Sequence, residues 1–219
     1  MSLNQLRTNL VYYDTVTLDP QINALGVANT YHQFRANSLY DPDLSGIGHQ
    51  PMFHDNYSQL YQKYRVISSK IKVKILETKF GGVIPDDVGT GHTDVPSMAY
   101  RLMLCKDEGT DFPNDMRNAI EEKGSNVKWR YVMPNTLGRP QGLTMTCKIA
   151  KLLRCSPNDL ELAGATGGSG TGGNPQREAI FTIGITGIDG VVNPPAVTLG
   201  IHIEYRVEYY DRQLVQLQN

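Results

Sequence analysis

Along this chain, short stretches of alternating apolar and polar residues are separated by clusters of Gly, Pro, Asn and Asp. Alternation with period two is the mark of a half-buried strand, and strands broken by turn residues at intervals are the mark of an all-β sandwich or barrel. Eight runs qualify: Thr8–Leu18, Thr30–Ser38, Tyr64–Lys79, Met98–Lys106, Asn126–Met133, Leu143–Leu152, Glu178–Asp189 and Val197–Asp211. Within Tyr64–Lys79 the pattern places Ile67, Ile71, Val73 and Ile75 on one face and Ser68, Lys70, Lys72 and Lys74 on the other. Within Val197–Asp211 it turns Leu199, Ile201, Ile203, Tyr205 and Val207 inward, and His202, Glu204, Arg206 and Glu208 outward.

Helical spacing is confined to the connections. Asp55 is a good N-cap ahead of Tyr57, Leu60, Tyr61 and Tyr64. Phe112–Lys123 carries Met116, Ala119 and Ile120 on one stripe and meets a stop at Gly124. Ser156 and Pro157 open a short helical turn toward Leu162. The Gly-rich segment Gly164–Gly173 reads as a flexible loop between the sixth and seventh strands. Long connections between eight strands favour a jelly roll over an immunoglobulin-like sandwich, which prefers short regular turns. The expected fold is therefore all-β: one eight-stranded antiparallel jelly-roll domain over residues 1–219. The first, eighth, third and sixth strands would share one sheet, and the second, seventh, fourth and fifth the other.

The totals narrow the function. The chain has 219 residues, 40% hydrophobic and 20% charged, with a net charge of −1. That balance is ordinary for a folded protein and argues against a bulk nucleic-acid-coating role, which needs a strongly basic chain. With 12 Tyr against 5 Phe and 1 Trp, the aromatic content suits half-buried and interface positions. Cys105, Cys147 and Cys155 form no CxxC and fit buried thiols in a reducing compartment. The first apolar cluster, Leu10 and Val11, is too short for a signal peptide, and no run reaches the length of a membrane span.

No catalytic constellation stands out. His32, His49, His54, His92 and His202 show no HExxH and no metal-ligand spacing. Asp41 to Gly46 mimics the opening of a calcium loop, but Met52 stands where a bidentate Glu belongs, and an Asx turn is the alternative. The Gly-rich loop lacks the Lys of a phosphate-binding loop. The carboxylate pairs Asp86–Asp87 and Glu121–Glu122 lie where solvated charge is the default, and no cofactor or metal is expected.

Basic residues are more informative. Lys63, Arg65, Lys70, Lys72, Lys74 and Lys79 lie close together against a single Glu77, and the stretch from Lys123 to Arg154 holds seven Lys or Arg and no acid. In the expected sheet, Lys70, Lys72, Lys74 and Lys148 share an outer face, a candidate phosphate-contacting patch. Glu204 and Glu208 on the neighbouring strand could instead consume that charge by cross-strand pairing.

The segment from Tyr31 to Val73 carries a specific pattern. Phe34, Ala36, Asn37, Ser38, Leu39, Tyr40, Asp41, Pro42 and Asp43 are followed by Gly46, Gly48, His49, Gln50 and Pro51, then by Tyr57, Tyr61, Tyr64, Val66, Ser69, Ile71 and Val73. This run resembles the capsid proteins of circovirus-like, circular single-stranded DNA viruses that encode a replication initiator. Weaker echoes at Trp129, Thr144–Cys155, Asn174, Pro175 and Tyr205–Arg212 carry the resemblance along nearly the whole chain. It implies a non-enzymatic coat protein that assembles with itself, about 60 copies in the simplest (T=1) shell. That shell would enclose single-stranded DNA or host RNA. The location implied is the virion, after synthesis in host cytoplasm with the nucleus as a possible station; no membrane association is implied and the host receptor is unspecified. One departure is visible: such proteins usually open with a long basic arm, whereas residues 1–30 here hold only Arg7 against Asp14 and Asp19.

The loop Leu39–Asn56 is the candidate inter-subunit contact, through Tyr40, Asp41, Pro42, Asp43, His49, Gln50 and Pro51. Packing of that loop over its own sandwich is the other reading. The rival function is a jelly-roll carbohydrate-binding or attachment module.

Overall fold

A computed structural model describes residues 4–22, 28–78, 99–113, 115–133, 141–168, 173–188 and 194–213. Four long strands form the first sheet in the order β1 (Gln5–Leu18), β10 (Val197–Arg212), β4 (Tyr61–Thr78) and β7 (Gly142–Lys148). A short β8 (Thr166–Gly168) runs beside the start of β4. The second sheet has the order β2 (Gln21–Ile22), β3 (Ala28–Arg35), β9 (Ala179–Gly187), β5 (Tyr100–Glu108) and β6 (Val127–Val132). Every pairing is antiparallel. Leaving out the two short strands, both sheets show the expected jelly-roll order. Consecutive long strands mostly lie in opposite sheets.

The inner faces meet in one core containing Tyr12, Phe34, Tyr64, Ile71, Leu102, Phe181, Ile201, Ile203 and Tyr205, all at most 1% exposed. The outer face of the second sheet is covered by α2 (Met116–Lys123). Met116 and Ala119 pack on Met103 there. Gly184 on β9 makes the close approach possible, because a Cβ at that position would lie 2.0 Å from the Met116 methyl. The helix begins later than its spacing predicts, since the Asp115 side chain accepts from the Arg117 N–H and caps it.

Several local expectations are corrected. Strand pairing in Leu143–Leu152 ends at Lys148, where the chain turns into α3 (Ile149–Leu152). Ile67 does not join the buried face of Ile71 and Val73. It is the extra residue of a bulge, between Ser68 opposite Arg206 and Val66 opposite Val207. The bulge reverses the alternation, so that Val66 and Tyr64 are buried. Asp55 is not the cap of α1 (His54–Ser58); Phe53 holds that position, and the helix stops before Leu60. Ser156 to Leu162 forms turns without a helix. Part of the Gly-rich loop is ordered, because Thr166–Gly168 pairs with Lys63–Arg65. Lys79, Met98, Asp189, His92 and the Asp86–Asp87 pair lie outside the described residues.

The two sheets are stitched along one flank. β7 is an edge strand, and its outward carbonyls at Thr146, Thr144 and Gly142 accept from Lys106 (2.9 Å), Lys128 (2.8 Å) and Arg130 (3.4 Å) of the facing sheet. These contacts satisfy an edge that would otherwise invite strand pairing.

Glycine requirements along β8 give a direct test. A Cβ on Gly167 would lie 2.2 Å from the Gly173 carbonyl oxygen and 2.3 Å from the Tyr64 ring, whereas one on Gly168 meets nothing within 4 Å. Gly167→Ala is expected to cost roughly 1–3 kcal/mol of unfolding free energy by denaturant titration, as overpacking does, while Gly168→Ala stays near neutral. Equal effects at the two positions would contradict the placement of β8.

Candidate functional site

The long loop between β3 and β4 is held to the sandwich by buried polar groups. Arg35 closes β3 and reaches Glu178 (2.6 Å), the Asp41 carboxylate (2.9 Å) and the Asp41 carbonyl (3.0 Å). Asn37 is fully buried and acts like a strand residue: its side chain donates to the Arg177 carbonyl (2.8 Å) and accepts from the Ala179 N–H (2.9 Å). Ser38 donates to Asn174 at 2.6 Å. The Tyr64 hydroxyl donates to the Gly173 carbonyl (2.9 Å) and accepts from the Leu39 N–H (3.1 Å). Tyr205 donates to the Arg35 carbonyl at 2.8 Å.

These contacts decide how the candidate loop residues lie. Pro42, Asp43 and Pro51 are buried, Tyr40, Asp41 and Gln50 are half-buried, and His49 is exposed. Asp43 meets the His32 ring at 2.9 Å and accepts from the Ser45 N–H at 2.8 Å, an Asx turn. Asp41 is engaged by Arg35, so both carboxylates of the would-be calcium loop already have partners. His49 bonds the Tyr13 carbonyl (2.9 Å) and stacks on Tyr12 at 4.7 Å, fastening the loop to β1. Three large apolar side chains of the loop are exposed: Ile47 at 89%, Met52 at 72% and Phe53 at 59%. Phe53 also has a φ of 71°, a left-handed conformation that a bulky side chain rarely adopts. The sequence reading passed over these three, because isolated apolar residues inside a turn-rich loop carry no periodic signal.

The strand register places Lys70, Lys72, Lys74 and Lys148 on the outer face of the first sheet, where they are unequally paired. Across the outer face of the first sheet, Lys70 lies opposite Glu204, Lys72 opposite His202 and Ser68 opposite both Arg206 and Lys148. Lys72 pairs with Glu204 at 2.5 Å, and that bond, with Lys70 and His202 nearby, holds the Glu204 carboxyl below the usual range. Glu208 faces outward yet is 1% exposed, clamped between Arg7 (3.2 Å) and Arg65 (2.8 Å). Lys70, Lys74, Lys148 and Arg206 form no ion pair among the described residues. Cross-strand pairing on this face thus takes Lys72, Arg65 and Arg7 and leaves those four cations without a carboxylate partner.

Several solved structures resemble this fold. A chain from the structure of the Macrobrachium rosenbergii nodavirus is 12% identical with a TM-score of 0.50, the match covering 98% of this chain and 60% of that one. The BFDV capsid protein in its decameric form is 11% identical with a TM-score of 0.49, covering 94% and 99%. The fold is that of viral jelly-roll coats. At this identity the likeness is one of fold. No known protein family matches the chain, and no curated protein sequence matches it.

Burial pushes the Cys105 and Cys147 thiols up to about 12, and all three cysteines are free. Two histidines of the loop titrate in opposite senses. His54 is buried, bonded to the Tyr209 hydroxyl at 2.8 Å and edge-on to Tyr64. Burial holds its pKa below 6.5, with Asp55 pulling the other way. His49 is raised above 6.5 by its bonds to the Gln50 and Tyr13 carbonyls, with Asp14 adding to them.

The signs follow. A depressed histidine contributes stability that is present above 6.5 and lost as pH falls through its folded pKa. A raised one contributes stability that is present below 6.5 and lost as pH rises through its folded pKa. Exposure makes the His49 contribution small. NMR titration of the unassembled chain should find the His54 ring titrating below the His49 ring, and His54→Asn should flatten the loss of stability between about pH 7 and pH 5. The reverse order of titration would contradict this arrangement.

Proposed function

We propose that the chain is the coat subunit of a small icosahedral virus and that its activity is assembly, not catalysis. The full chain, 1–219, acts as one jelly-roll unit that packs against copies of itself. The simplest closed shell has about 60 positions (T=1), with contacts between two different surface patches closing around its threefold and fivefold axes. The observation that carries this reading is the coat-type jelly roll bearing an outward apolar rim, Ile47, Met52 and Phe53, on its longest described connection. Apolar groups gathered on one loop mark an interaction site. In the same loop Tyr40, Asp41, Gln50 and His49 keep some exposure for a neighbouring subunit, while Pro42, Asp43 and Pro51 are buried.

The resemblance to circovirus-like capsid proteins supports single-stranded DNA as the cargo, with host RNA an alternative in particles made without a genome. The unpaired cations Lys70, Lys74 and Lys148, with Lys72 partly engaged by Glu204, supply the phosphate-contacting face. On this reading the protein resides in the virion, and the sheet face bearing these lysines lines the interior. A second reading, a carbohydrate-binding or attachment module, draws on Trp129 and Tyr131. Both are 44% exposed beside Arg101, a platform on which a sugar ring would stack.

Expressed alone, the chain should form uniform particles by negative-stain microscopy. Ile47→Asp combined with Phe53→Asp should leave a folded subunit of 24.4 kDa that no longer assembles; Asp is among the residues that tolerate a left-handed backbone at position 53. Sedimentation showing only monomer for the unmodified chain, across salt and pH, would sink the proposal, and small oligomers with a defined sugar ligand would favour the second reading. Particles made in cells should show an absorbance ratio at 260 and 280 nm characteristic of nucleic acid, and should lose it when Lys70, Lys74 and Lys148 are replaced by Glu.

A further inference from the structure

A second basic site adjoins the lysine face and shares Lys148 with it, where the flank of the sandwich meets the turn after β7. A groove of about 970 Å³ opens there between the end of β5, the end of β7 and α3. Its cationic lining consists of Lys106, Lys148, Lys151, Arg154 and Arg177. Its two carboxylates are already spent: Asp107 pairs with Lys123, and Glu108 with Arg177 at 2.7 Å. Arg177 also donates to the Leu153 carbonyl at 3.0 Å, which fixes it as part of the wall. Lys106, Lys148, Lys151 and Arg154 are left with no carboxylate partner among the described residues, although Lys106 donates to the Thr146 carbonyl. Four cations converging on one concavity without counter-charge repel each other, and an anion relieves that repulsion.

The backbone at Arg154 is an independent sign. The turn after α3 closes with the Cys155 N–H bonded to the Ala150 carbonyl (3.0 Å), and Arg154 sits between them at a φ of 53°. That is the left-handed position after a helix, where Gly or Asn is favoured. An arginine there holds an unfavourable backbone conformation while its guanidinium lines the groove. Strained residues of this kind gather at binding sites.

We propose that this groove binds a compact polyphosphate anion, one carrying several phosphoryl groups close together, such as inorganic tripolyphosphate or inositol hexakisphosphate. Four uncompensated cations match a multiply charged anion. The Arg fork and the Lys ammonium groups are the donors that phosphate oxygens take. The lining contains no aromatic side chain. A nucleobase would find nothing to stack on, so the site selects phosphate groups and not bases. The inference stands apart from the coat-protein reading, since it concerns the single subunit and needs no assembly.

The test is calorimetric titration of the full chain with inositol hexakisphosphate, with tripolyphosphate and with a single-stranded oligothymidylate, at moderate salt. Both compact anions should bind saturably. Lys151→Ala with Arg154→Gly should weaken them tenfold or more while the thermal midpoint holds or rises, because both changes favour the local backbone. Lys70→Ala with Lys74→Ala on the sheet face should leave them unchanged. No saturable binding of either compact anion would overturn the proposal, as would binding that survives the groove variant but is lost in the sheet-face variant. Oligothymidylate bound in the groove and not displaced by the compact anions would also overturn it, making the groove a nucleic-acid track.

Discussion

The buried tyrosine hydroxyls are the constraint around which this fold is arranged. Tyr12, Tyr64, Tyr100, Tyr205 and Tyr209 are among its largest fully buried side chains. A hydroxyl removed from water without a partner costs about 1–3 kcal/mol, so each ring that fills the core also demands a polar group at its tip. For three of these rings the partners lie in or next to the connections: Leu39 and Gly173 for Tyr64, the carbonyl of Arg35 at the end of β3 for Tyr205, and His54 for Tyr209. The rings thus fix where the connections before β4 and before β9 cross the end of the sandwich. Phenylalanine at the same positions would fill the core equally well and leave those connections without these anchors.

The same economy governs charge. Most basic side chains are committed to structure. Lys106, Lys128 and Arg130 satisfy the edge of β7, Arg35 organises the loop after β3, and Arg7 and Arg65 enclose Glu208. Among the described residues, cations without a carboxylate partner gather on the outer face of the first sheet and in the adjoining groove beside α3. A net charge of −1 conceals both, because local fields depend on which cations lack partners and not on the total.

Much of the fold was legible in the alternation. Strands as long as β4 and β10 have few other ways to bury Ile71, Val73, Ile201 and Ile203, and the long connections implied the jelly-roll order. The errors fell where tertiary contacts override a local pattern. The bulge at Ile67 moves Val66 and Tyr64 inward, and no periodicity announces a bulge. β8 exists because Gly167 lets its backbone approach Tyr64, although its composition reads as a linker. The loop motif from Phe34 to Asp43 was legible as a specific pattern, but its role was not. Ala36, Asn37, Ser38 and Leu39 are fully buried and bind the loop to its own sandwich, and the loop's exposed large apolar side chains are Ile47, Met52 and Phe53.

The sequence by itself determined the architecture: how many long strands there are, in what order they pair and, away from the bulge at Ile67, which of their residues face the core. It did so because side-chain direction in a strand follows from position along the chain. Only the tertiary structure decided which charges are free and which surfaces are open. Glu208 looks outward in the pattern and is buried by Arg7 and Arg65, residues far from it in sequence. Arg154 looks like an ordinary surface arginine and stands in a left-handed turn that lines the same groove as Lys106 and Lys148. Pairing and exposure depend on neighbours that folding brings together, and no one-dimensional pattern encodes them.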